Sequence, residues 1–114
     1  MEGRSLPHFV RVLPASPSQS SPSPPQQYVF FCHGILGSGS NWRTFARRMV
    51  ERLPNWGVVL VDLREHGASR GLPPPHTVQA AAEDLRHIEP MLAAPVMGVL
   101  GHSFGGKVAL SWTA

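Results

Sequence analysis

The amino-acid sequence predicts an α/β fold, in which a parallel β-sheet is flanked by helices. Three short runs are continuously apolar, which is typical of parallel strands covered on both faces: 28–32 (YVFFC), 57–63 (GVVLVDL) and 96–100 (VMGVL). Segments with the period of an amphipathic helix separate these runs. Strands that alternate with helices are the signature of a parallel sheet with right-handed crossovers.

The predicted helices follow from apolar residues spaced three and four positions apart. The first is predicted where six apolar residues share one face: Trp42, Phe45, Ala46, Met49, Val50 and Leu53. A second is predicted over 77–89, with Thr77 as its N-cap and Pro90 ending it. A third begins near Phe104 and continues to the last residue of the sequence.

Residues 1–27 differ in composition from the rest of the chain and are predicted to form a flexible, Pro/Ser-rich segment. The run 16–27 is rich in proline, serine and glutamine, which is typical of a linker with polyproline character. Residues 8–13 (HFVRVL) have an alternating pattern and are a candidate edge strand. Residues 1–27 faintly resemble an organelle transit peptide and lack the long apolar region of a secretory signal. We therefore expect an intracellular protein, either cytoplasmic or organellar.

Composition narrows the classes of function. The formal net charge is +3, and no apolar run approaches the roughly 18 residues that a membrane span requires. We interpret four clustered arginines as a solvated helix face rather than a nucleic-acid or lipid site: Arg43, Arg47, Arg48 and Arg52. The lone cysteine, Cys32, has no partner for a disulfide or a metal site and is expected to be a small buried residue. No metal or organic cofactor is expected.

Polar, glycine-rich segments follow each predicted strand, at 33–41, 62–71 and 101–106. In folds of this class, ligands bind beyond the carboxyl ends of the strands. The third segment has the pattern G-x-S-x-G between a strand and a helix: Gly101, His102, Ser103, Phe104 and Gly105.

A tight turn of this kind would present the Ser103 hydroxyl alone. Glycines at 101 and 105 would remove clashes within the turn, and Gly106 would let the helix pack close to the sheet. The helix N-terminus would favour the negative charge that develops there. Ser103 is therefore a candidate nucleophile, although a serine in a glycine-rich turn without chemistry would leave the same pattern.

A serine nucleophile needs amide donors for the oxyanion that forms during acyl transfer. The N–H of Phe104, directly after the serine, is one candidate. The second comes from the loop after the first strand, where Ile35 is our first choice and Leu36 the second. His33, beside Gly34 in the same loop, is expected to hydrogen-bond loop backbone and not to act as the base.

Three motifs together resemble the α/β-hydrolase superfamily: H-G-I-L-G-S at 33–38, D-L-R-E-H-G-A-S at 62–69 and G-H-S-F-G-G at 101–106. The run H-G-I-L-G-S-G-S-N-W at 33–42 is similar to the esterase branch that includes abhydrolase domain-containing protein 11. The resemblance covers residues 28–114 and implies that the first predicted strand lies between the other two. It also implies that Ser103 is the nucleophile and that Ile35 and Phe104 donate to the oxyanion. Residues of the second motif would brace the loop beside the site: Asp62, Arg64, Gly67 and Ser69.

The resemblance implies that the catalytic acid and the histidine base lie beyond Ala114. Residues 28–114 would then be the N-terminal half of the domain, truncated after the helix that follows the serine. Among the histidines present, His66 is the alternative partner for Ser103, with Asp62 as an orienting acid. We therefore expect a serine hydrolase of ester, thioester or related acyl bonds whose isolated chain is inactive. The alternative is a non-catalytic truncated product, or a small-molecule-binding protein on the same scaffold.

The resemblance also bears on substrate and stability. A small-molecule acyl compound is the expected substrate, and nucleic acid is not expected as a partner. The epoxide hydrolase and haloalkane dehalogenase branches place an aspartate where this chain has Ser103. The strand 96–100 would be left as an unpaired apolar edge, so we expect the chain alone to be marginally stable or to need a partner.

Overall fold

The structure, a computed structural model, describes residues 5–14, 25–35 and 37–114. Most of the predicted linker therefore lies outside the described residues. The division of the chain at residue 27 stays a prediction. Part of the segment before that boundary lies in the sheet, because residues 9–12 form a strand.

The described residues form a four-stranded sheet in the order β1-β3-β2-β4. Its strands are β1 (Phe9–Val12), β2 (Gln27–Cys32), β3 (Trp56–Val61) and β4 (Val96–Gly101). β2 pairs in parallel with both β3 and β4, whereas β1 pairs antiparallel with β3. The predicted central position of the first core strand and the predicted edge strand are both confirmed.

Three α-helices connect and follow the strands in the described part of the chain: α1 (Arg43–Arg52), α2 (Val78–Ile88) and α3 (Phe104–Thr113). The Thr77 hydroxyl accepts a hydrogen bond from the N–H of Ala80 at 3.0 Å, which confirms the predicted cap of α2. The first helix is shorter than its pattern predicted. Trp42 lies in a 3-10 turn (Gly39–Trp42), and Leu53 is an exposed residue just after the helix.

Helices cover both faces of the sheet, as the continuous apolar strands predicted. One face packs against α1 through alternate strand residues: Val29, Phe31, Val58 and Leu60. The intervening residues point to the opposite face, where α2 and α3 contribute Leu85, Ile88 and Val108 to the larger cluster. Cys32 belongs to that second cluster and is fully buried, as predicted.

β4 forms one edge of the sheet among the described residues, as predicted. Only Val96 of this strand is buried, whereas its other residues are half-buried or exposed, and Met97 is 63% exposed. The neighbouring helix α3 also exposes an apolar side chain, since Leu110 is 73% exposed. None of the helices described here is long and apolar enough to cross a bilayer.

Candidate active site

Ser103 lies on the turn that joins the end of β4 to the start of α3. Its backbone has φ 55° and ψ −116°, outside the regions that non-glycine residues ordinarily occupy. The residue is exposed and stands at the N-cap of α3 without capping it through its side chain. Across the described ranges, the hydroxyl has no hydrogen-bond partner. The strained turn therefore presents a free hydroxyl at the carboxyl edge of the sheet.

Three glycines surround Ser103, and close backbone packing requires glycine at two of these positions. A Cβ added at Gly101 would lie 2.6 Å from the Cα of Gly106. A Cβ added at Gly105 would lie 2.5 Å from the carbonyl oxygen of His33. At Gly106, by contrast, the nearest atom would be 3.8 Å away, an ordinary contact. The expectation that Gly106 is needed for close packing is therefore wrong, and Gly105 has that role.

The loop after β2 approaches the Ser103 turn from the side of α1. The N–H of Gly37 donates to the carbonyl of Gly34 at 3.0 Å, so the loop folds back tightly. A Cβ added at Gly34 would lie 3.0 Å from Nδ1 of His102, which shows how closely the loop and the turn meet. Ile35 lies at the tip of the loop, and its side chain is 65% exposed.

Two backbone amides near the turn lack acceptors. Within residues 5–14, 25–35 and 37–114, the N–H groups of Ile35 and Phe104 donate no hydrogen bond. Phe104 is the first residue of α3, where such an amide has no partner within the helix. Leu36, the second choice for an oxyanion donor, lies outside the described residues.

His33 is buried at the end of β2, and both of its ring nitrogens bind backbone groups. Nε2 accepts a hydrogen bond from the N–H of Leu63 at 3.0 Å. Nδ1 therefore carries the proton and donates to the carbonyl of Gly34 at 2.7 Å. Burial is the main reason that the pKa of His33 lies below its usual 6.5. The residue bonds backbone, as the sequence predicted, and has no nitrogen left to accept a proton from Ser103.

His66 lies near the turn but does not hydrogen-bond Ser103. Its Nδ1 donates to the carbonyl of Arg64 at 3.0 Å. Its ring stacks on Phe104 with a centroid distance of 6.1 Å and an interplanar angle of 24°. Among the described residues, no hydrogen bond joins His66 to Asp62. The arrangement thus lacks both contacts that the alternative Ser103–His66–Asp62 set requires.

Asp62 instead ties two loops together at the end of β3. Its carboxylate accepts hydrogen bonds from the N–H of Gly39 at 2.7 Å and from the N–H of Ala68 at 3.0 Å. The second loop passes so close that a Cβ added at Gly67 would lie 2.5 Å from Oδ2 of Asp62. Gly67 has φ +50°, which glycine adopts without strain.

The second motif is anchored to the rest of the fold by Arg64 and Ser69. The guanidinium of Arg64 binds Asp84 on α2 and donates to the carbonyls of Pro73 and Pro75. This pairing with Asp84 raises the pKa of Arg64. The buried hydroxyl of Ser69 accepts a hydrogen bond from the N–H of His8 at 2.7 Å, which joins the motif to the residue just before β1.

Two hollows flank the Ser103 turn. A cavity of about 320 Å³ lies on the α1 side, between the 33–37 loop and His102, with Asn41 and Trp42 in its lining. Ser103 itself lines an open groove of about 510 Å³ on the other side, between β4 and α3. Sequence reasoning missed Asn41 and Trp42, since Trp42 was assigned only to the core face of α1.

No cluster of three or more His, Cys, Asp or Glu side chains that could hold a metal occurs in the described part of the chain.

Comparisons with known proteins agree with this geometry. A family model described as the alpha/beta hydrolase fold matches residues 27–114. The chain is 37% identical over 82 residues to the mouse (Mus musculus) protein named sn-1-specific diacylglycerol lipase ABHD11, covering 72% of this chain and 26% of that relative. Its fold is similar to that of a marine microorganism esterase, with a TM-score of 0.72 and 28% identity over 95% of this chain and 36% of the other.

A second similar structure is the epoxide hydrolase CorEH, with a TM-score of 0.71 and 25% identity. That match covers 93% of this chain and 32% of the other. The chain thus spans between 26% and 36% of the length of these three proteins. From the match over residues 27–114, the strand order and the turn at Ser103, we conclude that this chain belongs to the α/β-hydrolase family.

Proposed function

We propose that Ser103 is the nucleophile of a serine hydrolase that cleaves an ester, thioester or related acyl bond. The observation that carries the proposal is the backbone of Ser103, held at φ 55° with its hydroxyl exposed and unpartnered among the described residues. Strained conformations of this kind persist at sites of function. The names of two similar proteins, a lipase and an esterase, favour an acyl substrate. One similar structure is an epoxide hydrolase. That branch places an aspartate where this chain has Ser103, so we do not propose epoxide hydrolysis.

The proposed reaction begins when Oγ of Ser103 attacks the carbonyl carbon of the substrate and its proton passes to a base. The carbonyl oxygen becomes an oxyanion that accepts hydrogen bonds from the amides of Ile35 and Phe104, neither of which has another acceptor in the described residues. Collapse of this intermediate expels the leaving group, which takes up the proton. Water then attacks the acyl-enzyme and releases the acid.

The base of this reaction is supplied neither by His33 nor by His66. His33 uses both ring nitrogens on backbone groups, and His66 stacks on Phe104 without a bond to Ser103. Without a base, a serine hydroxyl is a weak nucleophile at neutral pH. Our proposal therefore includes a base and an acid from the part of the domain that the relatives have and these 114 residues do not. The 114-residue chain alone would be inactive.

A second candidate is a small-molecule-binding protein on the same scaffold. It is favoured by the combination of the 320 Å³ cavity and histidines that are occupied by backbone contacts. In that case Ser103 would be a turn residue without chemistry. The hydrolase requires a reactive Ser103 hydroxyl, whereas the binding protein does not.

The test is labelling with a fluorophosphonate, a reagent that phosphonylates activated serines. Three proteins are compared: the 114-residue chain, a chimaera that joins it to the remaining length of the mouse relative, and the same chimaera carrying Ser103→Ala. The proposal predicts labelling of the chimaera alone. Labelling of the 114-residue chain to the same extent would contradict the proposal that the base lies outside these residues. A folded chimaera without labelling would favour the binding protein.

A further inference from the structure

An open groove of about 290 Å³ lies between the edge strand β1 and helix α1, and we call it the β1–α1 groove. Four successive residues at β1 and two residues of α1 line it: Val10, Arg11, Val12, Leu13, Arg43 and Arg47. No aspartate or glutamate is among them. Side chains alternate between the faces of a strand, so the charges on the α1 side are those of Arg43 and Arg47.

Arg43 and Arg47 are exposed and carry charges that the described residues leave uncompensated. They lie four positions apart in α1, so their side chains share one face of the helix, where like charges repel. Neither forms an ion pair or a side-chain hydrogen bond in the described part of the chain. Arg43 also lines a smaller hollow with Asp62, but that carboxylate binds the amides of Gly39 and Ala68 instead. An anion in the β1–α1 groove would relieve this repulsion.

The outer edge of β1 carries unpaired backbone groups. The carbonyl of His8 accepts a hydrogen bond from the N–H of Asp62 at 2.9 Å, within the antiparallel register of β1 and β3. Backbone groups alternate in direction along such a strand, so those of Val10 face β3 and those of Arg11 and Leu13 face away from it. Among the described residues, no strand lies beyond β1. These outward groups are therefore free to pair with an added strand.

An extended peptide fits both features of the β1–α1 groove. A strand added to a sheet edge pairs through its backbone, and its alternate side chains point to the same face. Side chains two positions apart on such a strand are separated by about 6.6 Å, and residues four positions apart on a helix by about 6 Å along its axis. Carboxylates at alternate positions of an added strand therefore match the spacing of Arg43 and Arg47.

Two occupants from this chain itself lack the required charge. A second copy would bring another pair of the same arginines to the shared edge and add to the repulsion. Residues 15–24 contain no acidic residue and have three prolines, which cannot donate to a strand ladder. The β1–α1 groove thus fits a partner that supplies negative charge on an extended backbone.

We propose that the β1–α1 groove is a docking site for a partner protein that adds an extended, acidic strand to β1. Carboxylates at alternate positions of this strand pair with Arg43 and Arg47, and its backbone pairs with that of Arg11 and Leu13. The docking site does not depend on the reaction proposed for Ser103.

The test follows the backbone amide signals of the full 114-residue chain by nuclear magnetic resonance. The chain is titrated with a peptide of about eight residues in which glutamate alternates with threonine. The amide protons of Arg11 and Leu13 should shift saturably and, at a peptide concentration of about ten times the Kd, should exchange with solvent about tenfold more slowly. Signals from β4, at the other edge of the described sheet, should not shift.

Two control peptides separate charge from backbone pairing. One has glutamine in place of each glutamate, and the other has every backbone amide methylated. Both should bind about tenfold more weakly than the acidic peptide, because the first lacks the carboxylates and the second lacks the donors of a strand ladder.

Variants of the two groove arginines test the charges directly. Arg43→Gln and Arg47→Gln should each weaken binding about two- to fivefold, because each removes one exposed ion pair with the peptide. The matched control Arg48→Gln removes the same charge from the same helix outside the groove and should leave the Kd unchanged. All three are compared at about 0.15 M salt, where exposed charges more than about 8 Å apart are largely screened.

The proposal is overturned if Arg11 and Leu13 do not shift, if either control peptide binds equally well, or if Arg48→Gln weakens binding as much as the groove variants. An amide spectrum typical of an unfolded chain would also overturn it. Binding of phosphatidylserine vesicles that depends on the two groove arginines, without a response to the peptide, would assign these arginines to a membrane instead. Ser103→Ala should bind the peptide unchanged, so failure of docking and failure of the proposed hydrolase are separate outcomes.

Discussion

Arg64 and Asp84 form a two-point ion pair that joins the loop after β3 to helix α2. Nε of Arg64 lies 2.7 Å from Oδ2 of Asp84, and Nη2 lies 2.9 Å from Oδ1. Both side chains are almost completely buried, with 5% and 3% of their surfaces exposed. Because the same guanidinium also binds the carbonyls of Pro73 and Pro75, the pair fixes the course of the loop beside the candidate site.

We predict that Asp84→Ala lowers the free energy of unfolding by about 3 kcal/mol, because it leaves a buried guanidinium without its carboxylate. The matched control is Glu83→Ala on the same helix, whose pair with Arg86 is partly exposed, at 36% and 46% of the two side chains, and should be worth less than about 1 kcal/mol. Urea unfolding followed by circular dichroism measures both. Equal losses for the two variants would contradict a special role for the buried pair.

We predict that Gly105→Ala and Gly106→Ala, two adjacent and chemically identical changes, have opposite effects. The methyl group at 105 would collide with the backbone of Cys32 and His33 and should cost about 3 kcal/mol. The methyl group at 106 meets only ordinary contacts, and alanine favours a helix over glycine by about 1 kcal/mol. Thermal unfolding of the two variants provides the comparison. Similar midpoints would show that α3 does not pack against the β2 loop as described.

The core of this fold was predictable from sequence because burial leaves a local pattern. Three apolar runs predicted the three parallel strands, and Thr77 predicted the N-cap of α2. Asp84 was not predictable as a partner of Arg64, since its carboxylate belongs to an ordinary helical pattern and the pair forms between residues 20 positions apart. Trp42 was predicted only as a core residue, because periodicity reports which face of a helix is apolar and not what lines a cavity.

The site was predictable to the same extent. The turn around Ser103 followed from its glycines, and the backbone contacts of His33 followed from its place in a loop. The different constraints on Gly105 and Gly106 could not be read from the pattern, because both are glycines in the first turn of one helix. Distances to the backbone of β2 distinguish them, and those depend on tertiary packing.

We predict that His33 makes stability depend on pH. Burial lowers its pKa in the folded chain, so the unfolded chain binds the proton more readily. The contribution of neutral His33 to the free energy of unfolding is therefore complete above pH 6.5. It is lost as the pH falls below that value toward the lowered pKa. Urea unfolding between pH 7.5 and 5.5 should show this loss, and the loss should be smaller in His33→Gln. A directly measured imidazole pKa of 6.5 or higher for His33 would contradict it.

We predict that Cys32 reports folding of the isolated chain. Burial raises the pKa of its thiol to about 12, and the side chain has no exposed surface. At pH 8, iodoacetamide should modify the folded chain about two orders of magnitude more slowly than the chain in urea, because the reactive thiolate is both rare and covered. Since Cys32 is the single cysteine, intact-mass measurement follows it without ambiguity. Equal rates would show that the 114-residue chain does not hold this fold alone.

The most direct test of the central claim is to map the phosphonylated residue by peptide mass spectrometry after the chimaera has reacted with a fluorophosphonate. We predict a single adduct, on Ser103, that is lost in Ser103→Ala and kept in the exposed control Ser40→Ala. An adduct on any other serine, or a folded chimaera that carries none, would contradict the assignment of Ser103 as the nucleophile.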